Sequence, residues 1–323
     1  MAVTAPRAKA GEPLPRTRVA VLMGGRSAER EVSLKTGAQV SSALRERGHD
    51  VAEVDARRIT FIRELQDLAP EVVFVCLHGR YGEDGTVQGL LELLDMPYVG
   101  SGVLASAMAM DKVTSKAIYE HAGIPTPDWV ALRRGDPLDH AAVVDVLGER
   151  LVVKPANEGS AIGVTIVQQA SELPGALEEA FSHCRLALVE RYVAGAEVTV
   201  GVLGNDEPFA LPTLQIVPEH DFYDYEAKYV PGMSRHLIPA DIEEHAQRDC
   251  ERLALEAHAA LRCRGVSRTD LIVAEDGRAY ALETNTIPGM TETSLLPEAA
   301  RAVGISFPDL CELLVRLALE PRG

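Results

Sequence analysis

The sequence predicts an α/β arrangement at its start and an α+β arrangement over the remainder. Up to residue 101, short apolar runs alternate with amphipathic stretches, which is the pattern of a parallel sheet covered by helices. Beyond that residue the pattern changes to strands, loops and one long amphipathic helix. The chain has 323 residues, of which 46% are hydrophobic and 25% charged, a composition typical of an ordinary globular protein.

The first sheet is predicted from three short apolar runs. Residues 19–23 form a continuous run that ends in two glycines, as expected for a strand buried on both faces. A helix follows, with Val40 and Leu44 on its inner face. Residues 51–54 and 72–77 repeat the strand pattern, so the three strands and their helices predict a parallel sheet.

Two polar residues follow strands of this sheet, where functional groups of parallel sheets gather. Glu29 lies a few residues beyond the first strand, and His78 follows the third strand directly. Both are candidate site residues. A hydrogen-bonded structural role remains the alternative for His78.

The rest of the chain is predicted to contain further strands and two helical regions. A Met- and Ala-rich stretch over residues 108–121 is helical, and strands are expected at 151–154, 164–167 and 188–190. A later helix has an apolar stripe at helical spacing that consists of Ala246, Cys250, Leu253, Ala257 and Leu261.

The loop at residues 155–163 joins two of these strands and contains glycines. It is not a P-loop, because Gly-Lys-Ser/Thr is absent and a strand rather than a helix follows. A strand-loop-strand cover can still present backbone N–H groups to phosphates, with Lys154 supplying positive charge. A plain β-turn is the alternative for the loop taken alone.

The stretch VAEDGRAYALETN, residues 273–285, predicts a β-hairpin. Asp276 and Gly277 would be the central residues of a two-residue type I′ turn, where both positions favour positive φ. The resulting register places two facing pairs on one side of the ribbon, Asp270 with Glu283 and Arg268 with Asn285.

Facing acids at the base of this hairpin need a cation. Like charges destabilise a sheet when their Cβ atoms are about 5 Å apart. Asp270, Glu283 and Asn285 offer only oxygen ligands, which Mg²⁺ prefers when phosphates of a substrate complete its coordination. The alternative is that Asp270 pairs with Arg268 while Glu283 is solvated. Together with the loop after Lys154, the hairpin predicts an ATP site with Mg²⁺.

The segment TIPGMTETSL, residues 286–295, follows the hairpin and is rich in hydroxyl groups. Backbone N–H groups near Gly289 and at Ser294 and Leu295 could bind a carboxylate or a developing oxyanion. A surface loop is the alternative for such a composition.

Whole-chain properties exclude several classes of protein. The formal charge of −16 argues against nucleic acid as a partner, because phosphate backbones require a basic surface. Cys-x-x-Cys spacing is absent, so neither a disulfide framework nor a zinc site is predicted. The N-terminal residues lack the apolar region of a signal peptide, and no apolar run reaches membrane-spanning length. We therefore expect a cytoplasmic protein without a membrane partner.

Seven motifs occur in order between about residues 18 and 319: GGRSAEREVSL, HGRYGEDG, MDK, VVKPANEGSAIGV, FYDYEAKY, GVSRTD and LETNTIPGMT. In sequence and order they resemble the D-alanine:D-alanine ligase family of the ATP-grasp superfamily. The resemblance implies an ATP-grasp fold with four parts: a flexible tail (1–17), an N-terminal Rossmann-like substrate domain (18–101), a small central domain (102–193) and a C-terminal catalytic domain (194–323).

The resemblance also implies the nucleotide and metal sites. ATP would be bound by three phosphate-facing lysines, two residues beside adenine and one beside the ribose: Lys112, Lys154, Lys228, Glu190, Val193 and Glu197, respectively. Asp270, Glu283 and Asn285 would hold two Mg²⁺ ions, for which Mn²⁺ would substitute.

The resemblance further implies roles around the first substrate. Glu29 would bind the ammonium of the first D-alanine and connect through Ser160 to Tyr229. Tyr229 belongs to the motif FYDYEAKY, which would close over the reactants, since an acyl phosphate must be kept from water. His78 would lie near the same substrate.

The remaining implied roles concern the second substrate and the oxyanion. Arg268 and the Gly289 N–H would stabilise the tetrahedral oxyanion, while Ser294 and the Leu295 N–H would hold the carboxylate of the second D-alanine. The implied product is D-alanyl-D-alanine for peptidoglycan synthesis, formed by a homodimer through a D-alanyl phosphate.

Three other functions are alternatives to this one. A ligase that uses D-lactate or D-serine as its second substrate is the nearest, because small free-energy differences decide such specificity. A non-catalytic nucleotide-binding regulator would be expected to lack one or more residues of the set Glu29, Arg268, Asp270, Glu283 and Asn285, and all five are present. A nicotinamide dehydrogenase requires G-x-G-x-x-G, whereas Gly24 and Gly25 are followed by Arg26.

Overall fold

A computed structural model describes residues 13–137, 139–159, 162–218 and 234–321 of the chain. Its strands form three sheets that follow one another along the sequence. The first is parallel, and the other two are antiparallel. The predicted combination of α/β and α+β architecture is therefore confirmed.

The first sheet has the strand order β2-β1-β3 and packs with helices of the same region. Its central strand is buried after the first residue, which explains the continuous apolar run. The third strand ends at Val75, two residues before the predicted end. The elements are β1 (Arg18–Met23), α1 (Arg30–Glu46), β2 (Asp50–Asp55), α2 (Phe61–Leu68), β3 (Val72–Val75) and α3 (Thr86–Leu93).

Two helices, α4 (Val103–Met110) and α5 (Lys112–Ala122), replace the single helical stretch predicted after the first sheet. That prediction is wrong because Asp111 has an extended backbone with ψ 102°. Its carboxylate accepts a hydrogen bond of 2.8 Å from the Thr114 N–H, so Asp111 is the N-cap of α5. Lys112 therefore occupies the first position of a new helix.

The second sheet is antiparallel with the order β4-β7-β5-β6. One face packs on helices through an apolar cluster that includes Leu147, Leu151 and Leu177. The elements are β4 (Trp129–Arg133), α6 (His140–Leu147), β5 (Leu151–Pro155), β6 (Thr165–Val167), α7 (Leu173–His183) and β7 (Leu186–Arg191).

The third sheet has the order β11-β10-β8-β12-β13, with β9 beside β8. Its strands are β8 (Gly195–Gly204), β9 (Phe209–Ala210), β10 (Leu214–Pro218), β11 (Ser234–Leu237), β12 (Gly265–Ala274) and β13 (Ala279–Asn285). The helices of this part are α8 (Glu244–Ala260), α9 (Leu295–Ala302) and α10 (Phe307–Leu319).

Helices pack against the first and third sheets, whose side chains share an apolar cluster, and the second sheet has a cluster of its own. The predicted apolar stripe of α8 is confirmed, since its side chains are buried against β8, β12 and β13. Helices α4 and α5 also pack on β13, and α10 covers α1. At that last contact Arg47 Nη2 lies 2.6 Å from Glu312 Oε2. None of the described helices is long and apolar enough to cross a membrane.

The hairpin of β12 and β13 has the predicted pairs at its base but not the predicted turn. Ala274 and Arg278 close a three-residue loop, and only Gly277 in it has a positive φ, of 80°. The prediction of a two-residue type I′ turn is therefore wrong. A β-bulge between Asp270 and Leu271 shifts the register back by one residue.

Because the longer loop and the bulge cancel, Asp270 still faces Glu283 and Arg268 still faces Asn285. The bulge has a second effect. Leu282 and Glu283 are consecutive, yet both line the same cleft instead of pointing to opposite faces.

Candidate active site

A cleft of about 1020 Å³ lies between the three sheets. All predicted site residues that the structure describes line it. They are Glu29, His78, Lys112, Lys154, Glu190, Val193, Glu197, Arg268, Asp270, Glu283, Asn285, Gly289, Ser294 and Leu295. Three further predicted residues, Ser160, Lys228 and Tyr229, lie outside the described residues.

Glu29 stands at the N-terminal end of α1, with only 8% of its surface exposed. Its carboxylate approaches the backbone closely at Gly79, where a Cβ would lie 2.5 Å from Glu29 Oε2. Gly79 also has a φ of 66°, which glycine adopts at little cost. A Cβ on Gly159 would lie 3.7 Å from the same oxygen. Glu29 thus connects the first sheet to the loop that precedes Ser160.

His78 is buried at the edge of the cleft and has polar neighbours on both ring nitrogens. Nδ1 lies 3.5 Å from Glu83 Oε1, and Nε2 lies 3.5 Å from Thr36 Oγ1. The second oxygen of Glu83 accepts a 2.9 Å hydrogen bond from the Gly79 N–H. These contacts fix the ring beside Gly79, the glycine that Glu29 approaches.

Each of the two acids at the base of the hairpin is paired with its own cation, and the two cations come from different elements. Arg268 Nε and Nη2 donate to the two oxygens of Asp270, both at 2.8 Å. Glu283 Oε2 lies 3.1 Å from Lys112 Nζ, which also donates to the Glu158 carbonyl at 2.7 Å. The alternative considered for Asp270 is thus observed, whereas Glu283 has a lysine partner.

Hydroxyl groups form hydrogen bonds to the hairpin base, one from the neighbouring strand and others on the opposite face of the hairpin. Thr199 Oγ1 donates to Asp270 Oδ1 at 2.6 Å from the neighbouring strand β8. On the reverse face, Tyr119 donates to Thr284 at 2.7 Å, and Thr284 lies 2.9 Å from Thr269 Oγ1. Helix α5 is thereby bonded to the strand that carries Glu283.

A second set of charges, more deeply buried, also borders the cleft. The Glu190 carboxylate contacts Lys116 through Oε1 and Lys154 through Oε2. Burial alone would raise the pKa of Glu190, but the two lysines hold it below its ordinary value. Burial alone would likewise lower the pKa of Lys154, and Glu190 raises it instead.

Sequence reasoning missed Lys116. The missed signal is helical spacing, because Lys112, Ser115, Lys116 and Tyr119 share the buried face of α5. A lysine in such a pattern indicates a buried carboxylate partner elsewhere in the chain.

Apolar residues form a wall of the cleft that sequence reasoning also missed. Val152 and Ile166 come from the second sheet, and Ile272 and Leu282 from the third. Their alternation in the strands reads as ordinary core packing, and the bulge that turns Leu282 into the cleft leaves no sequence signal. Such a wall between two sheets is suited to a planar apolar group.

At the other end of the cleft, Ser294 is the N-cap of α9. Its Oγ accepts a 3.1 Å hydrogen bond from the Thr291 N–H and lies 2.7 Å from Thr291 Oγ1. The N–H groups of the first turn, including that of Leu295, begin there, and a helix N-terminus of this kind is suited to an anion. Gly289 packs against it, since a Cβ on Gly289 would lie 3.0 Å from Ser294 Oγ.

Two antiparallel sheets that enclose a cleft of lysines and carboxylates, preceded by a parallel-sheet domain, define a ligase of the ATP-grasp class. Comparisons with known proteins identify the family. The model of the D-ala D-ala ligase C-terminus matches residues 118–316, and that of the D-ala D-ala ligase N-terminus matches residues 56–101. The chain therefore belongs to the D-ala D-ala ligase family.

Individual relatives agree with this assignment. A D-alanine--D-alanine ligase of Pelotomaculum thermopropionicum is 48% identical over 312 residues, which cover 95% of this chain and 98% of the relative. One of Desulforudis audaxviator is 51% identical over 304 residues, covering 94% and 99%. The crystal structure of the Bacillus anthracis D-alanine--D-alanine ligase complexed with ATP has a TM-score of 0.83 at 34% identity, covering 94% of this chain and 97% of that one.

Proposed function

We propose that the chain joins two D-alanines into D-alanyl-D-alanine for peptidoglycan synthesis and converts ATP into ADP and phosphate. One observation carries this proposal. The same cleft contains a carboxylate suited to an ammonium (Glu29), a lysine suited to phosphate (Lys112) and a helix N-terminus suited to a carboxylate (the Ser294 hydroxyl and the Leu295 N–H).

In the first step, a carboxylate oxygen of D-alanine attacks the γ-phosphorus of ATP. An O–P bond forms, the bond to the β–γ bridging oxygen breaks, and ADP leaves. Glu29 holds the ammonium of this D-alanine. Lys112 and Lys154, with Lys228, offset the phosphate charge, and positioning together with such electrostatics is the main source of catalysis in phosphoryl transfer.

In the second step, the neutral amine of the second D-alanine attacks the carbonyl carbon of the acyl phosphate. A C–N bond forms, the bond to the phosphate oxygen breaks, and one amine proton is released. Arg268 and the Gly289 N–H stabilise the tetrahedral oxyanion, since donors aimed at developing charge lower the barrier. Ser160 and Tyr229 have the roles that the resemblance implies: Ser160 would connect Glu29 to Tyr229, and Tyr229 belongs to the motif that would close over the reactants.

The hairpin base fits two Mg²⁺ ions, with Mn²⁺ as a substitute. Asp270, Glu283 and Asn285 present oxygens to the cleft, and the side chains of the two acids are 22% and 32% exposed. Their partners Arg268 and Lys112 are therefore open to exchange. The bound ions would neutralise charge on the phosphate oxygens.

The nucleotide base fits the apolar wall. Glu190 and Val193 would border adenine beside Val152 and Leu282, and Glu197 on β8 would accept hydrogen bonds from the ribose hydroxyls. A planar base buried against aliphatic side chains gains from the hydrophobic effect, while the polar groups at the edge fix its orientation.

The substrate experiment is phosphate release from Mg·ATP with D-alanine, L-alanine, D-serine, or D-alanine plus D-lactate, with products identified by mass spectrometry. We expect D-alanine-dependent release with D-alanyl-D-alanine as the product. If a product that contains D-lactate or D-serine forms in preference to D-alanyl-D-alanine, that compound is the second substrate instead of D-alanine. If no substrate supports turnover, ligase activity is refuted.

The proposal extends to the assembly and its place in the cell. We expect a cytoplasmic homodimer, as the family resemblance implies. Leu93 and Leu104, on the adjoining helices α3 and α4, expose 85% and 54% of their surface, an apolar area of the kind that dimers bury. Light scattering on the purified chain measures the oligomeric state directly.

A further inference from the structure

Lys116 is a cation that the proposed reaction does not use. Its side chain is 0% exposed, and it is not among the residues that line the cleft. A fully buried lysine is rare and costly unless a carboxylate neutralises it. The structure supplies such a carboxylate in Glu190.

Lys116 bridges three elements. Its ammonium contacts Glu190 Oε1 on β7 and donates to Thr126 Oγ1, which in turn donates to the Ala281 carbonyl of β13 at 2.7 Å. The other oxygen of Glu190 contacts Lys154 on β5. The resulting row is lysine, carboxylate, lysine.

All three groups of this row are charged near neutral pH. Burial lowers the pKa of Lys116 to about 8, which leaves its ammonium protonated there. The lysines keep the pKa of Glu190 low, so its carboxylate is ionised. Within this row, two cations and one anion leave one net positive charge, which the nearby carboxylates of Glu283 and Glu197 also attract.

This positive charge is available to the cleft only through Lys154. The Lys154 side chain is 13% exposed and lines the cleft, whereas Lys116 has no access to it. If Glu190 had Lys154 as its sole partner, the two charges would cancel. Lys116 supplies the second cation that prevents this.

We propose that Lys116 is a positioning residue that neutralises Glu190, so that Lys154 keeps its positive charge for the phosphates of the bound nucleotide. This inference rests on the proposed function, since it assumes that ATP occupies the cleft. It assigns to Lys116 an electrostatic effect on phosphate that passes through Glu190.

The experiment compares ATP, ADP and adenosine as ligands by isothermal titration calorimetry. Lys116→Met removes the charge and keeps the length of the side chain. We expect about a tenfold loss of affinity for ATP and for ADP, because the phosphates lose their attraction to Lys154. Adenosine carries no phosphate, so its affinity should stay within about twofold. Lys116→Arg keeps the charge and should retain most of the ATP affinity.

A second variant covers the case in which Lys116→Met does not fold. The double variant Lys116→Met/Glu190→Gln removes one cation and one anion, so Lys154 keeps its charge. Because Glu190 also borders adenine, the reference is Glu190→Gln alone: the ATP affinity of the double variant should lie within about threefold of it, since Lys116 acts through Glu190. A role of Lys116 that does not pass through Glu190 predicts a further loss of about tenfold.

Three outcomes would overturn the inference: an unchanged ATP affinity in Lys116→Met, an equal loss for adenosine and ATP, or an ATP affinity of the double variant at least tenfold below that of Glu190→Gln. The parent chain separates this failure from failure of the proposed function. If the parent binds no ATP, the proposed function fails; if it binds ATP and releases phosphate with D-alanine, only the role of Lys116 is at stake.

Discussion

Two groups of ion pairs border the cleft, and they differ in burial. In the hairpin group, the side chains of Arg268 and Asp270 are 14% and 22% exposed, and those of Lys112 and Glu283 are 11% and 32% exposed. In the buried row, Lys116 and Glu190 are 0% and 2% exposed, and only Lys154, at 13%, reaches the cleft. The two groups have similar chemistry but different access to solvent and ligands.

The difference in burial indicates a division of labour. Partly open pairs pay little to separate, because water or a ligand replaces the lost partner. A buried pair cannot separate without leaving an uncompensated charge in a medium of low polarity. The hairpin group is thus suited to exchanging Arg268 and Lys112 for metal ions, whereas the row at Glu190 is suited to holding a fixed charge.

The largest expected effect concerns the hairpin group. Glu283→Gln keeps the shape of the side chain but removes the negative charge that a metal ion requires. We expect kcat/KM for Mg·ATP to fall roughly a thousandfold, about 4 kcal/mol in the transition state, with little change in Tm. Steady-state phosphate release and thermal unfolding measure the two quantities.

Glu275→Gln is the matched control, since it makes the same change in the exposed loop of the same hairpin. Its turnover and Tm should equal those of the parent. Near-normal turnover in Glu283→Gln would remove Glu283 from the metal site, and a large fall in its Tm would mean that the open pair is structural.

The next effect tests the buried row. Glu190→Gln leaves Lys116 and Lys154 without a counter-charge, so we expect the free energy of unfolding to fall by about 3 kcal/mol. The pKa of Glu190 is lowered in the folded chain. Its stabilising contribution is therefore complete above the ordinary glutamate pKa and is lost as the pH falls through the lowered value.

Urea unfolding of the parent and Glu190→Gln chains at a series of pH values measures this contribution. The two unfolding free energies should converge toward acid pH. A constant difference across the series would show that packing, rather than charge, accounts for the loss.

The sequence predicted the two groups unequally, for physical reasons. The hairpin acids were found because pairing between adjacent strands follows from residue order, even though the turn was wrong. The loop at Gly277 is one residue longer than predicted, and the bulge next to Leu271 shifts the register back by one residue. The two departures therefore cancel, and Asp270 still faces Glu283. A bulge depends on packing against neighbouring strands and has no fixed residue signature.

Lys116 was missed because its partner Glu190 is distant in the sequence and lies on a strand of the second sheet, whereas Lys116 is on a helix. Periodicity shows which face of a helix is buried but not what covers it. The parallel sheet and the stripe of α8 were predictable, since each depends on local apolar spacing. The break at Asp111 was not, because an Asp within an otherwise helical pattern serves equally as a helical residue or as an N-cap.

The smallest expected effect concerns the hairpin group and the hydrogen bond that orients its Asp270 carboxylate before a metal ion binds. Thr199 is buried, and its hydroxyl donates to Asp270 Oδ1 at 2.6 Å, beside the two bonds from Arg268. If a metal ion displaces Arg268, the hydrogen bond from Thr199 still orients the Asp270 carboxylate. Partners behind a metal ligand typically contribute tenfold or more to metal affinity, so Thr199→Val should weaken Mn²⁺ binding by about tenfold.

Electron paramagnetic resonance of Mn²⁺ titrated into the ATP-bound chain measures this affinity, and the Mg²⁺ dependence of phosphate release should shift by the same factor. Thr199→Ser retains the hydroxyl and is the control, with Mn²⁺ affinity close to that of the parent. If Thr199→Val instead binds Mn²⁺ as the parent does but unfolds at a lower temperature, the hydroxyl bond serves the sheet and not the carboxylate. Asp270 would then be oriented by Arg268 alone, and exchange of Arg268 for a metal ion would leave its carboxylate without a fixed partner.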